Sequence, residues 1–214
     1  SAVADAGISL SRMNFWPKGT HYDVIITDRS AATARPNEQS ALPEHVMSDL
    51  NPVEAQFSAL RQSMVGQVAS HASLVADKTG KDMLGAEVMS VLGRVPRHEF
   101  VPVEMKLYAY LDSPLPIGYG KTISQPFIVG LMTDLLELDG SHNVLEIGTG
   151  LGYQAAVLAE LACAVYTVEI VEELAEESKR RLGVRGYKNI HFRVGDGNQG
   201  WPEFAPFDRI IATA

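Results

Sequence analysis

From residue 52 onward, apolar residues fall into helical stripes and short extended runs; before it they do not. Residues 1–51 are rich in Ser, Ala, Asn, Asp and Pro without sustained periodicity, which predicts a loosely ordered extension. One run there, Tyr22-Asp23-Val24-Ile25-Ile26-Thr27, is β-like and is echoed by Phe207-Asp208-Arg209-Ile210-Ile211-Ala212-Thr213, although chance alone supplies echoes of this length. Asn51 can cap and Pro52 suits a first helical position, and Phe57, Leu60, Met64, Val65 and Val68 then recur at helix spacing. A second helix is predicted over Ala86–Gly93, with Val88, Val91 and Leu92 inward, and both helices are expected beside a sheet. The prolines of Val95–Pro102 make it a fixed connector. A long Pro/Gly loop spans Tyr110–Phe127, and an amphipathic helix follows over Phe127–Leu138, stopped by Asp139-Gly140. Four β-like runs, Asn143–Ile147, Tyr166–Glu169, Asn189–Val194 and Phe207–Ala214, are separated by helical stretches at Gln154–Leu161 and Glu172–Leu182 and by a Trp201-Pro202-Glu203 connection. Alternation of this kind predicts an α/β fold with a parallel, doubly wound sheet. The chain divides into an extension (1–51), helices with the loop (52–140) and a core (141–214).

The core opens on Val144-Leu145-Glu146-Ile147-Gly148-Thr149-Gly150-Leu151-Gly152, an apolar run turning into glycines at the entrance of a helix. Glycine suits a turn whose backbone takes left-handed conformations and lets a ligand approach closely. Glu169 ends the next strand 21 residues beyond Gly148, near the offset at which an acid meets ribose hydroxyls. An adenosine-bearing ligand follows. The spacing is G-x-G-x-G with an acid at Glu146, not the G-x-G-x-x-G that seats a pyrophosphate. It resembles motif I of the class I S-adenosylmethionine (AdoMet) methyltransferases. A carboxylate favours a cationic sulfonium and repels a pyrophosphate; a dinucleotide site or a purely structural turn are the other readings of these glycines.

Composition narrows the setting. At 214 residues, 46% hydrophobic and 21% charged, the chain is of ordinary globular make-up. No apolar stretch approaches the roughly 20 residues of a membrane span, and no signal-peptide pattern opens the chain, so a cytoplasmic, membrane-free protein is expected. The net charge of −8 argues against a nucleic-acid surface, with Lys179-Arg180-Arg181 and Arg185 reading as a solvated helix end. The one cysteine, Cys163, permits no intrachain disulfide and reads as a small buried hydrophobe. The six histidines lack metal-ligand spacing, so no metal is expected.

The loop Pro114-Leu115-Pro116-Ile117-Gly118-Tyr119-Gly120-Lys121-Thr122-Ile123-Ser124-Gln125-Pro126, taken with Val95–Pro102 and the glycine motif, closely resembles the protein-L-isoaspartate (D-aspartate) O-methyltransferases, over about Met64 to Ala214. These repair enzymes methylate isoaspartyl and D-aspartyl residues of damaged proteins. The resemblance implies a Rossmann-like class I methyltransferase fold, AdoMet as cofactor, S-adenosylhomocysteine as product, and isoaspartyl peptides and proteins as partners. It implies that Ser124 is the active-site serine, that Ile117, Gly118, Tyr119, Gly120 and Lys121 form a lid over the cofactor together with Ser124, and that Gly148 and Gly150 approach the methionine portion. Thr149 and Gly152 complete that loop, Glu169 with Ile170 takes the ribose, Asp196 and Gly197 face the adenine, and Thr213 and Ala214 lie near the incoming peptide. Asp196 also reads as an ordinary Asx turn, and Glu146 as acting through water or the glycine-loop amides.

Chemistry points to the same hydroxyls. An isoaspartyl carboxylate is already ionised at neutral pH, so no strong base is needed and orientation in a dry site supplies much of the acceleration. Ser124, with Thr122 beside it, suits that task, while a cap on the Phe127 helix is the competing role for Ser124. The family pattern continues past Ala214, so a sheet ending in mid-order with an unpaired Ile210-Ile211 edge is expected, covered by Tyr22–Thr27 or by another copy of the chain. A catalytically silent AdoMet-binding homologue, or a class I enzyme for another carboxylate, are the alternative functions.

Overall fold

The structure, a computed structural model, describes residues 52–213 and, as backbone, two earlier strands, β1 (Ser9–Met13) and β2 (Tyr22–Ile26). The rest of the predicted extension, the Asn51 cap, Thr27 and Ala214 lie outside the described residues. The core strands are β5 (Asn143–Ile147), β6 (Ala164–Glu169), β7 (Ile190–Val194) and β8 (Arg209–Ala212), and they run parallel. The six-stranded sheet has the order β1-β2-β8-β5-β6-β7. Helices α5 (Tyr153–Ala159) and α6 (Glu172–Val184) carry the chain from β5 to β6 and from β6 to β7, the crossovers that parallel neighbours require. Val144, Leu145, Val165, Val168 and Ile211 are buried, which is why these strands read as nearly continuous apolar runs. β6 and β8 leave β5 on opposite sides. The crevice beyond the β5 tip is therefore the switch point at which open α/β sheets take their ligands.

β2 lies antiparallel on β8, with Val24 beside Ile211 and Ile25 beside Ile210, so the apolar β8 edge is covered from within the same chain. β1 adds a strand outside it that the sequence pattern does not announce: Ser9-Leu10-Ser11-Arg12-Met13 alternates over only five residues.

The other helices are α1 (Pro52–Leu74), α2 (Ala76–Thr79), α3 (Ala86–Arg94) and α4 (Pro126–Leu135). Instead of lying directly beside the sheet, α1 and α3 pack chiefly on α4 and on each other, through Met64, Val68, Val91, Leu92, Val129 and Met132. Asp134 of α4 joins this layer together, accepting from Lys81 Nζ at 2.6 Å and from the Gly85 amide at 2.7 Å where α3 begins.

Two readings are corrected. The stretch predicted as a loop contains an antiparallel hairpin, β3 (Leu115–Gly118) and β4 (Lys121–Ile123), closed by Tyr119 and Gly120, both with positive φ (53° and 68°). That is the type I′ geometry that matches strand twist; Pro114 and Pro116 disguised it, since proline gives nothing to a ladder. Cys163 is exposed, not buried, because it lies in the turn between α5 and β6.

The connector Val95–Pro102 contains a short 3-10 turn, Arg97–Glu99, whose Arg97 is wholly buried. Its Nε donates to the Ala109 carbonyl at 2.8 Å and Nη2 to that of Ser113 at 3.4 Å, and the guanidinium lies 4.9 Å from the centre of the Tyr153 ring. Desolvation lowers its pKa to about 10, which leaves it charged at neutral pH. A buried cation thus holds the chain just before the hairpin.

Candidate active site

A cavity of about 580 Å³ opens at the C-terminal tips of β5, β6, β7 and β8, in the size range of small-ligand sites. The sheet supplies Ile147, Gly148, Gly150, Val168, Glu169, Ile170, Asp196 and Gly197; the hairpin supplies Ile117, Gly120, Lys121, Thr122 and Ser124. A smaller recess adjoins it, sharing Ile117, Thr122, Ser124, Gly148 and Gly150 and adding Thr149. Twelve of the sixteen candidate residues line these two spaces, so residues separated by up to 80 positions meet here. Gly118, Tyr119, Gly152 and Glu146 need separate comment, as does Thr213.

The glycine turn is shaped from below. Gly148 and Gly150 have φ of 97° and 55°, so their peptide groups face the cavity without a side chain between. Thr213 pins the turn, its hydroxyl donating to the carbonyl of Gly148 at 2.8 Å and to that of Ile147 at 3.1 Å. Expected near an incoming peptide, Thr213 lines the cavity but spends its hydroxyl on this loop. Glu169 accepts from the Gly150 amide at 2.8 Å and from the Val171 amide at 3.0 Å, so the acid at the β6 tip is fixed while its remaining lone pairs stay available. Asp196 accepts from the Asn198 amide at 2.9 Å, an Asx turn, and still lines the cavity. Gly197 packs closely on β5: a Cβ there would lie 2.2 Å from Ile147 Cγ2.

Two candidates for cofactor contact are relocated. Gly152 lines neither space; its φ of 93° and a virtual Cβ 2.8 Å from Leu182 Cδ1 show that it brings the start of α5 against α6. Glu146 is fully buried and lies beneath the glycine loop. Thr149 and Thr167 share a hydrogen bond at 2.5 Å, and Thr167 donates to Glu146 Oε2 at 2.5 Å, so a hydroxyl chain links this acid to the loop above. Desolvation raises its pKa to about 8, which makes it neutral at pH 7, not the ionised partner its place in the motif suggested. Of the residues expected to form a lid, Gly118 and Tyr119 make the exposed outer corner of the hairpin, and Ile117, Gly120 and Lys121 line the cavity.

Ser124 is half-buried and its hydroxyl has no protein partner among the described residues. The capping role kept open for it is filled by Asp112, whose Oδ1 accepts from the Phe127 amide at 2.8 Å in the first turn of α4. Sequence reasoning passed over Asp112, His71 and Gln125, which surround that amide, because nothing in their spacing relates residues so far apart. Ile147, Val168, Gly195 and Ala212 were also missed as lining residues; their places at strand tips were the available signal.

Glu54, His98 and Glu99 bring possible metal-ligand atoms within 4.8 Å of one another beside a different cavity. The Tyr110 hydroxyl receives from Arg61 at 3.0 Å and shares a hydrogen bond with His98 Nδ1 at 2.7 Å. His98 Nε2 lies 3.7 Å from a carboxylate oxygen of each of Glu54 and Glu99.

The donor set of the large cavity fits AdoMet. Two carboxylates, Glu169 and Asp196, face it against a single cation, Lys121, and the glycine cradle has no surplus of basic groups for a pyrophosphate. A Rossmann-like sheet with this glycine loop at one strand tip and an acid at the next is that of a class I AdoMet-dependent methyltransferase. The model of the protein-L-isoaspartate(D-aspartate) O-methyltransferase family matches residues 69–214, and the chain belongs to that AdoMet-dependent family. Protein-L-isoaspartate O-methyltransferase 1 of a Polaromonas species is 55% identical over 161 residues, covering 75% of this chain and 68% of that protein. Protein-L-isoaspartate O-methyltransferase 2 of Syntrophobacter fumaroxidans is 52% identical over 158 residues, covering 74% and 64%. This chain thus spans about two thirds of the length of the curated relatives it matches. Among solved structures, a protein-L-isoaspartate O-methyltransferase superposes with a TM-score of 0.56 at 32% identity, covering 68% of this chain and 48% of that one. A Plasmodium falciparum protein described as a putative member, in complex with S-adenosyl-L-homocysteine, shares the fold at 18% identity, with a TM-score of 0.55 and coverage of 72% and 71%. Among the described residues no helix is long and apolar enough to cross a membrane.

Proposed function

We propose that this chain transfers a methyl group from AdoMet to the side-exposed carboxylate of L-isoaspartyl and D-aspartyl residues in damaged proteins. The observation that carries the reading is the meeting of two unlike surfaces in one cavity: glycine backbone and Glu169 on one wall, the hydroxyls of Thr122 and Ser124 on the other.

When bound, AdoMet supplies an activated methyl on a sulfonium. Glu169 and Ile170 would hold the ribose, Asp196 and Gly197 the adenine end, and Gly148, Thr149 and Gly150 the methionine end. Ile117, Gly120 and Lys121 cover the cofactor from the hairpin and keep bulk water out, which strengthens every polar contact beneath them. Ser124, with Thr122 beside it, donates to one oxygen of the substrate carboxylate and leaves the other free to attack in line. A hydroxyl suits this role because it orients the anion without neutralising it, and no proton needs to be removed. The acidic balance of the chain, −8 overall, supports polypeptide over nucleic acid as partner, and a cytoplasmic setting is part of the same reading.

The test is methyl incorporation from labelled AdoMet into paired peptides that differ only in Asp against isoAsp at one site. Incorporation confined to the isoaspartyl peptide is expected; equal labelling of both, or of neither, rejects the proposal.

A further inference from the structure

Ser124 ends the hairpin arm, and β3 and β4 are four and three residues long, too short for a two-stranded ribbon to hold a fixed position by its own ladder. Leu115, Ile117 and Ile123 bury its inner face in the main core, and what the ladder and that packing leave free is set at the arm's base. The two ends of that base are Asp112, just before β3, and Gln125–Phe127, just after Ser124. Asp112 bridges them. Oδ1 accepts from the Phe127 amide at 2.8 Å, and Oδ2 accepts from Gln125 Nε2 at 3.0 Å and from His71 Nδ1 at 2.9 Å. The His71 ring stacks on Phe127 with centroids 4.2 Å apart, which ties α1 into the same cluster. Behind Asp112, the chain is held by buried Arg97 through the carbonyls of Ala109 and Ser113. The Asp112 side chain is 11% exposed, so these bonds are largely shielded from competing water.

We propose that Asp112 is a positioning residue for methyl transfer: it clasps the hairpin base and thereby sets where the Ser124 hydroxyl stands relative to the cofactor cavity. This rests on the function proposed above, and it assigns Asp112 no contact with substrate. The carboxylate is suited to the task because it alone among side chains of its length accepts from three donors at once. His71 and Gln125 serve as the donors that keep Oδ2 from rotating away.

The test uses Asp112→Asn, which keeps size and the bond from the Phe127 amide but replaces one acceptor oxygen with a donor facing Gln125 and His71. Turnover of the isoaspartyl peptide, expressed per site that binds S-adenosylhomocysteine, is expected to fall about 30-fold, while affinity for S-adenosylhomocysteine stays within about threefold. Because Asp112 acts through Ser124, adding Asp112→Asn to Ser124→Ala is expected to cause no further loss. Losses that multiply in the double variant would show a general structural role and overturn the proposal, as would wild-type turnover in the single variant. A second readout needs no activity: amide hydrogen exchange across residues 115–127 is expected to quicken in Asp112→Asn while that of residues 144–150 is unchanged. Unchanged exchange in both segments overturns the clasp. A wild-type protein silent toward isoaspartyl peptides, with exchange quickened as expected, overturns the functional reading alone.

Discussion

The two walls of the cavity are built by different means. The wall at the β5 and β6 tips is held by main chain: parallel ladders, a turn of left-handed glycines, and Glu169 bound to two amides. The opposing wall is a short hairpin whose position depends on side chains reaching from elsewhere, Arg97 from the turn after α3 and Asp112 and His71 at its base. The first arrangement fixes a ligand by geometry that few substitutions outside it can disturb. The second rests on a short ladder and on side chains from other elements, so substitutions at a distance from the cavity can reach it.

The largest expected effect tests that dependence. Arg97→Ala removes two charged hydrogen bonds and leaves a void beside Tyr153, and it is expected to lower stability by about 3 kcal/mol in urea unfolding. S-adenosylhomocysteine affinity of the folded fraction should change little; an equal loss at both walls would break the comparison. Ser124→Ala is expected to lower turnover about 100-fold, roughly 2.7 kcal/mol, with S-adenosylhomocysteine affinity almost intact in calorimetric titration. Unchanged turnover would remove Ser124 from its role. Gly197→Ala acts on the other wall. Its Cβ would overlap Ile147 Cγ2, so the turn at the Asp196 end of the cavity must move, with a loss of about 2 kcal/mol in stability and about tenfold in S-adenosylhomocysteine affinity.

The smallest effect concerns the acid under the glycine loop. The Glu146 pKa is raised from 4.5 to about 8 in the folded protein, so the folded state keeps a proton that the unfolded chain releases between those values. Its contribution to stability is therefore complete below about pH 4.5 and is lost as pH rises through about 8. Glu146→Gln, which resembles the neutral acid, is expected to gain steadily on the wild type as pH rises across that window. Parallel unfolding curves for the two proteins from pH 5 to about 9 would contradict the assigned burial effect.

The same contrast explains what could be read from the chain. The strand Asn143–Ile147 is predicted and found with the same ends, and the helix and strand pattern that follows differs by a few residues, since 3.6-residue and two-residue periods survive in a core buried on both sides. The glycine spacing and the offset to Glu169 led directly to one wall because both are local consequences of backbone. The spacing could not show how far Glu146 sits below the surface, nor that Gly152 serves helix packing; both depend on what lies above them in space. The hairpin was obscured by its prolines, and Asp112 by its distance of 41 residues from His71. Ser124 was singled out by its chemistry and by family resemblance and lines the cavity, while Asp112, which takes the capping role, was not.

The direction of β2 has an effect of its own. β5, β6 and β8 deliver their last residues to the crevice, but β2 runs the other way and brings its start there: Asp23 is level with Ala212, which lines the cavity. The Met13–Tyr22 end of the β1–β2 pair is therefore brought to the rim of the cofactor site, and a label attached there would report from the doorway, whereas one at the Ser9–Ile26 end would sit at the far side of the sheet.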